Sequence, residues 1–197
     1  SGLICSHVHG DHTGHINEYL NAGITAYLSP GTAEAKGPHH NIKVIQPKKT
    51  YQVGSFKISG FPLKHDVENY GFLIYHEESG MTVAITDTHY CPYKFPELNN
   101  ILIECNYSDE IVNKHLADGT GNMYVRNRVI KSHMELQTTI DFLKANDLSQ
   151  VHNIVLLHLS ESNSDPGAFQ KRIKELTGKS VYVALKGMNI PFDKTAF

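Results

Sequence analysis

Ser6-His7-Val8-His9-Gly10-Asp11-His12 is the stretch on which the reading of this chain turns. Its ligand-type side chains form the pattern H-x-H-x-D-H. On an extended backbone alternate side chains share a side, so His7 and His9 offer two imidazoles in one direction. One metal ion can take both. Asp11 and His12 follow across Gly10, on the turn into a helix, where they can face a second ion. The chain is rich in histidine, 13 in 197 residues. Even so, a chance match to the whole pattern in a chain of this composition has a probability of roughly 0.3%.

Four ligands do not complete two metal sites. More are expected downstream, at strand ends, where a backbone holds a side chain rigidly. His65 follows the apolar stretch from Phe61 to Leu63. Asp87 closes the stretch from Thr82 to Thr86, and His158 closes Ile154 to Leu157. A lone histidine at such a place is more often structural, but a dinuclear centre needs this inventory.

The rest of the sequence frames that centre. A chain of 22.0 kDa with 40% hydrophobic and 19% charged residues is one ordinary globular domain, here taken as residues 1–197. Disorder is excluded on the same figures. A net charge of −2 gives no global field for a polyanion. No apolar run reaches the ~18 residues of a membrane span, and no leader pattern is visible. Cys5, Cys91 and Cys105 are too scattered for a disulfide framework or a zinc ribbon, so a reducing, cytoplasmic setting is expected.

Short strands and helices alternate along the chain, which predicts an α/β fold. Strands are expected at residues 2–5, 25–28, 71–75, 81–86, 101–104, 153–157 and 180–185. Three more, at 43–46, 51–53 and 55–61, are expected in an antiparallel section. A single helix is expected over 12–21, with Ile16, Tyr19 and Leu20 on one face, and a turn at Ser29-Pro30-Gly31. Ser132 and Glu135 have the spacing of a capping box, opening a helix with Leu136, Ile140 and Leu143 inward. Asp165-Pro166 opens another, with Phe169, Ile173 and Leu176 inward and Gly178 at its stop.

With these motifs in place, the chain resembles the metallo-β-lactamase superfamily from Gly2 to about Phe192. The resemblance implies a four-layer αββα sandwich with a dinuclear centre. It implies that His7, His9 and His65 hold one divalent ion, that Asp11, His12 and His158 hold the other, and that Asp87 bridges them. Histidine rather than arginine at position 12 favours two ions. Members of that superfamily usually carry several strands before the hallmark motif. This chain is therefore expected to be N-terminally incomplete, with strand addition from a partner copy, as in a homodimer, or a longer natural chain as the remedy.

Two further residues narrow the branch. Glu104, in Ile101-Leu-Ile-Glu104-Cys-Asn106, matches the glutamate of a ribonuclease Z–like relay, although Ile103 stands where that relay has histidine. His133, in Lys131-Ser-His133-Met-Glu135, matches the histidine those nucleases carry ahead of the last ligand. The WalJ/YycJ (VicX) group is similar in more places: His65-Asp66, Glu104-Cys105-Asn106, the Arg126 and Arg128 segment before Ser132-His133, and the run from His158 to Asn163. That group is similar to DNA 5′-exonucleases and other phosphodiesterases.

The expected activity is therefore phosphodiester hydrolysis, on nucleic acid or a small phosphodiester, by a hydroxide bridging two ions of zinc, manganese or iron. Asp11, His133 and Glu104 are the expected catalytic residues, with His133 assisting the leaving group under orientation by Glu104. Arg126, Arg128 and Lys131 lie close enough in sequence to His133 to position phosphates. The rival expectations are a carbonyl-ester hydrolase (a lactonase, thioesterase or glyoxalase II–like enzyme) and a non-catalytic metal-binding regulator. Carbonyl hydrolysis does not need Glu104, His133 or the arginines, and the presence of all seven ligands argues against the regulator.

Overall fold

The computed structural model describes residues 1–194; residues 195–197 of the expected single-domain span, and the side chain of Val125, lie outside the described residues. The chain opens with β1 (Gly2–Ile4), α1 (Gly10–Thr13), α2 (Ile16–Asn21), β2 (Thr25–Leu28), α3 (Pro30–Lys36) and β3 (Ile42–Val44). The three strands form a parallel sheet in the order β1-β2-β3. Strand alternation gives this sheet two apolar faces. Leu3, Cys5, Ala26 and Leu28 pack on Ile16, Leu20 and Ala33 of α2 and α3. Ile4 and Tyr27 point the other way, toward Ile45, Ile58, Tyr70 and Phe72.

This half differs from the sequence expectation in three places. The helix expected over 12–21 is two short ones, because His15 leaves helical geometry (φ −104°, ψ 9°) between them. The Ser29-Pro30-Gly31 turn is instead a helix start. Ser29 caps α3, its Oγ accepting from Thr32 N at 3.3 Å, and Pro30 takes the first helical position, where its missing N–H costs nothing. Because α3 carries the chain back, the strand expected at 43–46 runs parallel to β2, outside the antiparallel section.

The second half contains β4 (Thr50–Val53), β5 (Phe56–Leu63), β6 (Asn69–His76), β7 (Gly80–Ile85), β8 (Leu98–Glu104), α4 (Asp109–Ala117), α5 (Met123–Ser132), α6 (Leu136–Ala145), β9 (Asn153–Leu157), α7 (Pro166–Thr177) and β10 (Ser180–Val183). Its seven strands pair in the order β10-β9-β8-β7-β6-β5-β4. The antiparallel pairs run from β4 to β7, and β7 to β10 are parallel. One face meets the small sheet. The other buries Val83, Ile85, Ile101, Ile103, Ile154 and Leu156 against Ile140 and Leu143 of α6 and Phe169 and Ile173 of α7. Helices, small sheet, large sheet and helices thus stack in four layers, the expected αββα sandwich.

Two helix readings are corrected here. Ser132 ends α5 rather than capping α6, and its Oγ donates back to Arg128 O at 2.7 Å. Glu135 is itself the cap of α6, in extended geometry (φ −76°, ψ 150°), with its carboxylate accepting from Gln137 N and Thr138 N. The extended geometry is imposed by a bridge between Glu135 and Tyr107, just past β8. Asp165 caps α7 as expected, accepting from Ala168 N at 2.9 Å, and Gly178 ends it in the left-handed region. Leu176 is 43% exposed, because α7 covers the edge strand β10 and its last turn has no further strand to rest on.

Candidate metal centre

The segment between β1 and α1 is pinned before it presents any ligand. Tyr70 N donates to Ser6 O at 2.9 Å, docking it on β6. Thr13 Oγ1 donates to the carbonyls of Val8 (2.7 Å) and His9 (3.0 Å). Ser6 Oγ lies 3.0 Å from His7 Nδ1 and 3.2 Å from His12 Nδ1, so one hydroxyl orients both rings. His7 is fully buried. Its Nε2 comes within 3.0 Å of His9 Nδ1, and His65 Nε2 within 3.4 Å of the same atom. An imidazole nitrogen carries one proton or one lone pair, so His9 Nδ1 can make only one of these two contacts a hydrogen bond. A shared cation among His7, His9 and His65, whose donor atoms lie within 4.8 Å of one another, satisfies all three.

Asp87 follows β7 at φ 53°, a left-handed conformation that aspartate tolerates better than most residues. Asn69 holds it there, Nδ2 donating to the carbonyls of Thr86 (2.9 Å) and Asp87 (2.8 Å). The buried carboxylate then reaches two ways. Oδ2 accepts from Thr86 Oγ1 at 2.6 Å and lies 3.1 Å from His12 Nε2; Oδ1 lies 3.4 Å from His158 Nδ1. Asp87 therefore stands between His12 and His158, and its carboxylate also groups with His7 and His12 as a set that could hold a metal ion. Asp11 Oδ2 is 3.5 Å from His12 Nε2, on a largely solvent-exposed side chain.

His158, after β9, is also left-handed (φ 55°), with its carbonyl accepting from Asn106 Nδ2 at 2.6 Å. Its Nδ1 lies 3.0 Å from Glu104 Oε1. The same oxygen is 2.7 Å from His133 Nδ1, while Oε2 accepts from Thr88 N at 2.9 Å. Glu104 is fully buried, so each of these contacts replaces water it has lost. His133 reaches this point because the connection after α5 is stitched to the end of β8. Asn106 N donates to Met134 O (2.9 Å), Leu136 N donates to Tyr107 O (2.8 Å), and the Met134 side chain is fully buried.

The electrostatics suit cation binding. Burial, reinforced by nearby His12, brings the His7 pKa down to about 4, so the ring is a neutral donor at pH 7. Burial lowers His65 as well, outweighing Asp66 and Asp87. Burial pushes the Asp87 carboxyl upward, but the hydrogen bonds from His12 and Thr86 prevail and hold it well below the usual carboxylate range. The Glu104 hydrogen bond raises His158 above its ordinary value.

A cavity of about 740 Å³ opens over the cluster. His9, His65, Asp87 and His158 line it together with Arg128, Lys131 and His133. Arg126, grouped with these cations in the sequence reading, is placed elsewhere: it lines a separate cavity against α4. Sequence reasoning did not single out Ser6, Asn69 or Thr88, which orient the ligands and Glu104, and it gave Asn106 no such role. Single serines, threonines and asparagines beside strands carry no spacing signal.

No family model and no curated protein matches the chain. Solved structures do. The metallo-β-lactamase fold protein YhfI from Bacillus subtilis superposes with a TM-score of 0.72 at 21% identity, over 95% of this chain and 76% of that one. This is the metallo-β-lactamase fold. The novel metallo hydrolase Igni18 from Ignicoccus hospitalis shares that fold with a TM-score of 0.63 at 15% identity, over 96% of this chain and 78% of that one. Human tRNase Z, short form, matches at 0.58 and 17% identity over the same shares, 96% and 78%. On this fold His7, His9 and His65, His7, His12 and Asp87, and Asp87, Glu104, His133 and His158 form three groups that could each hold a metal ion.

Proposed function

We propose that the chain is a metal-dependent phosphodiesterase acting on nucleic acid or a small phosphodiester. His7, His9 and His65 would hold one divalent ion; Asp11, His12 and His158 would hold the other, with Asp87 between them. When bound, such ions supply Lewis acidity toward phosphoryl oxygens and lower the pKa of a water. The narrower likeness to the WalJ/YycJ group rests on the sequence motifs alone.

The observation that carries the reading is the 2.7 Å contact between His133 Nδ1 and the buried Glu104, in a cavity that also holds Arg128 and Lys131. Glu104 accepts a hydrogen bond from Nδ1–H and fixes the ring, which leaves Nε2 as the nitrogen for substrate. When both ring nitrogens are protonated, His133 gives the Nε2 proton to the departing oxygen. Arg128 and Lys131 bind the non-bridging phosphate oxygens and set the bond in line. A lactone or thioester offers no phosphoryl oxygens to such a wall. The likeness in fold to human tRNase Z, whose name is that of a ribonuclease, runs in the same direction.

The test offers manganese-loaded protein a 5′-phosphorylated, end-labelled DNA duplex, a single-stranded RNA, a lactone and a thioester. Metal-dependent cleavage of a nucleic acid is expected, and His133→Ala should slow it by about 10²–10³-fold with metal content unchanged. Turnover of the lactone or thioester alone would reassign the chain to the carbonyl-ester branch. Full metal loading with no turnover of any substrate would favour the regulator.

A further inference from the structure

α5 distributes its cations between two cavities. Successive residues of a helix turn by about 100°, so Arg128 and Lys131 fall on one side and Arg126 on nearly the opposite one. Arg128 and Lys131 line the metal cavity; Arg126 lines a second cavity of about 220 Å³ between α4, the start of α5 and the loop after His158. We infer that this second cavity is an oxyanion site, sized for a phosphate group and centred on Arg126.

The chemistry of its walls carries the inference. Arg126 is always charged, yet it makes no ion pair among the described residues, and its Nε is buried without a hydrogen-bond partner. No carboxylate lines the cavity among the described residues. The acid nearest in sequence on the adjoining loop, Asp118, is occupied by the hydroxyl (2.6 Å) and the amide (3.1 Å) of Thr120. The remaining polar lining is neutral: Thr120, Asn122, Ser162 and Asn163, with His115 beside them. Val112 and Leu116 supply an apolar side that lowers the local dielectric. The frame is built rather than loose. Ser108 N donates to Asn163 O at 3.0 Å, and Gly121 N donates to His115 O at 2.7 Å. A guanidinium with a buried, unpartnered Nε, in a pinned cavity whose described lining carries no carboxylate, is the arrangement that takes an oxyanion.

Two sources share that chemistry. One is a neighbouring phosphate of an extended substrate, since α5 borders both cavities. The other is a free phosphate. The first source rests on the phosphodiesterase reading; the site itself does not.

The experiment titrates inorganic phosphate into the zinc-loaded full chain and follows backbone amides by NMR. Saturable shifts are expected at Thr120, Gly121 and Asn122, separable from any at Arg128 to His133. Arg126→Gln should weaken that binding at least about tenfold, and Arg126→Lys should retain part of it. Asn163→Asp, which adds a repelling charge while keeping the shape, should weaken it likewise and serves as the second variant where Arg126→Gln folds poorly. Shifts that are absent, or undiminished in both charge variants, overturn the site. KM values then separate the sources. A rise in Arg126→Gln for a dinucleotide carrying two phosphates, relative to bis(p-nitrophenyl) phosphate, assigns the site to substrate. Unchanged KM values alongside lost phosphate shifts assign it to the free ion.

Discussion

Replacing Asp87 separates charge from backbone. Asparagine at this position would keep the side-chain shape and, like aspartate, tolerates the left-handed φ of 53° found there. What it loses is the negative charge between His12 (3.1 Å) and His158 (3.4 Å), and one acceptor. Whichever way the amide turns, its NH2 meets either His158 or the pair formed by Thr86 Oγ1 and His12. With the site 4% exposed, a lost charge-assisted hydrogen bond costs about 1.5–3 kcal/mol, and a buried donor left facing a donor adds about 1 kcal/mol or more. Asp87→Asn should therefore destabilise the metal-free protein by about 2–4 kcal/mol. Asp87→Ala should lose about 1 kcal/mol more than Asp87→Gly, because alanine resists the left-handed region. Urea unfolding in EDTA measures all three, and elemental analysis after zinc loading should find fewer ions per chain in each variant than in wild type. The reasoning is refuted if Asp87→Asn unfolds within about 0.5 kcal/mol of wild type and still binds the wild-type complement of zinc. It is refuted for the backbone alone if alanine and glycine are equally stable.

Glu104→Gln should lower kcat about 10–100-fold with little change in KM, since Glu104 acts through His133 and His158 rather than on substrate; steady-state kinetics at constant metal content checks this. The metal-free protein should be less stable at pH 5 than at pH 7.5. Because His7 titrates near 4 when folded and near 6.5 when unfolded, the unfolded chain takes up protons through that window and the fold does not; the loss at pH 5 is about 2 kcal/mol. His65, also lowered, adds to it. His158, raised, stabilises below its unfolded value and loses that contribution only as pH rises, so urea midpoints at the two pH values read the balance. Asn69→Ala should cost about 2–3 kcal/mol by stripping the donor from two carbonyls at the turn that carries Asp87, and should weaken metal retention in a chelator competition.

Local patterns were legible in the sequence. Short apolar runs marked most strands of the large sheet, and Asp165 with Gly178 marked both ends of α7. The helices α4 and α5 were not foreseen. α4 buries only Val112, so its sequence carries no apolar stripe strong enough to read. The capping-box reading of Ser132 failed because Glu135 is drawn into a bridge with Tyr107, 28 positions away in the chain. The turn expected at Ser29 shares its residue types with a capped helix start, and the apolar faces of the small sheet decided between the two.

The seven candidate ligands were written in the sequence itself, because ligand spacing on a strand and carboxylates or imidazoles at strand ends are local properties. Their assembly belongs to the tertiary structure. Strand register does it: Ile85 pairs with Ile103 and Glu104 with Leu157, which sets Asp87, Glu104 and His158 side by side. No single segment encodes that adjacency, nor which cavity each side of α5 meets. Both follow from how separate elements pack, and packing is settled by the buried apolar faces of the whole chain rather than by the residues that do the chemistry.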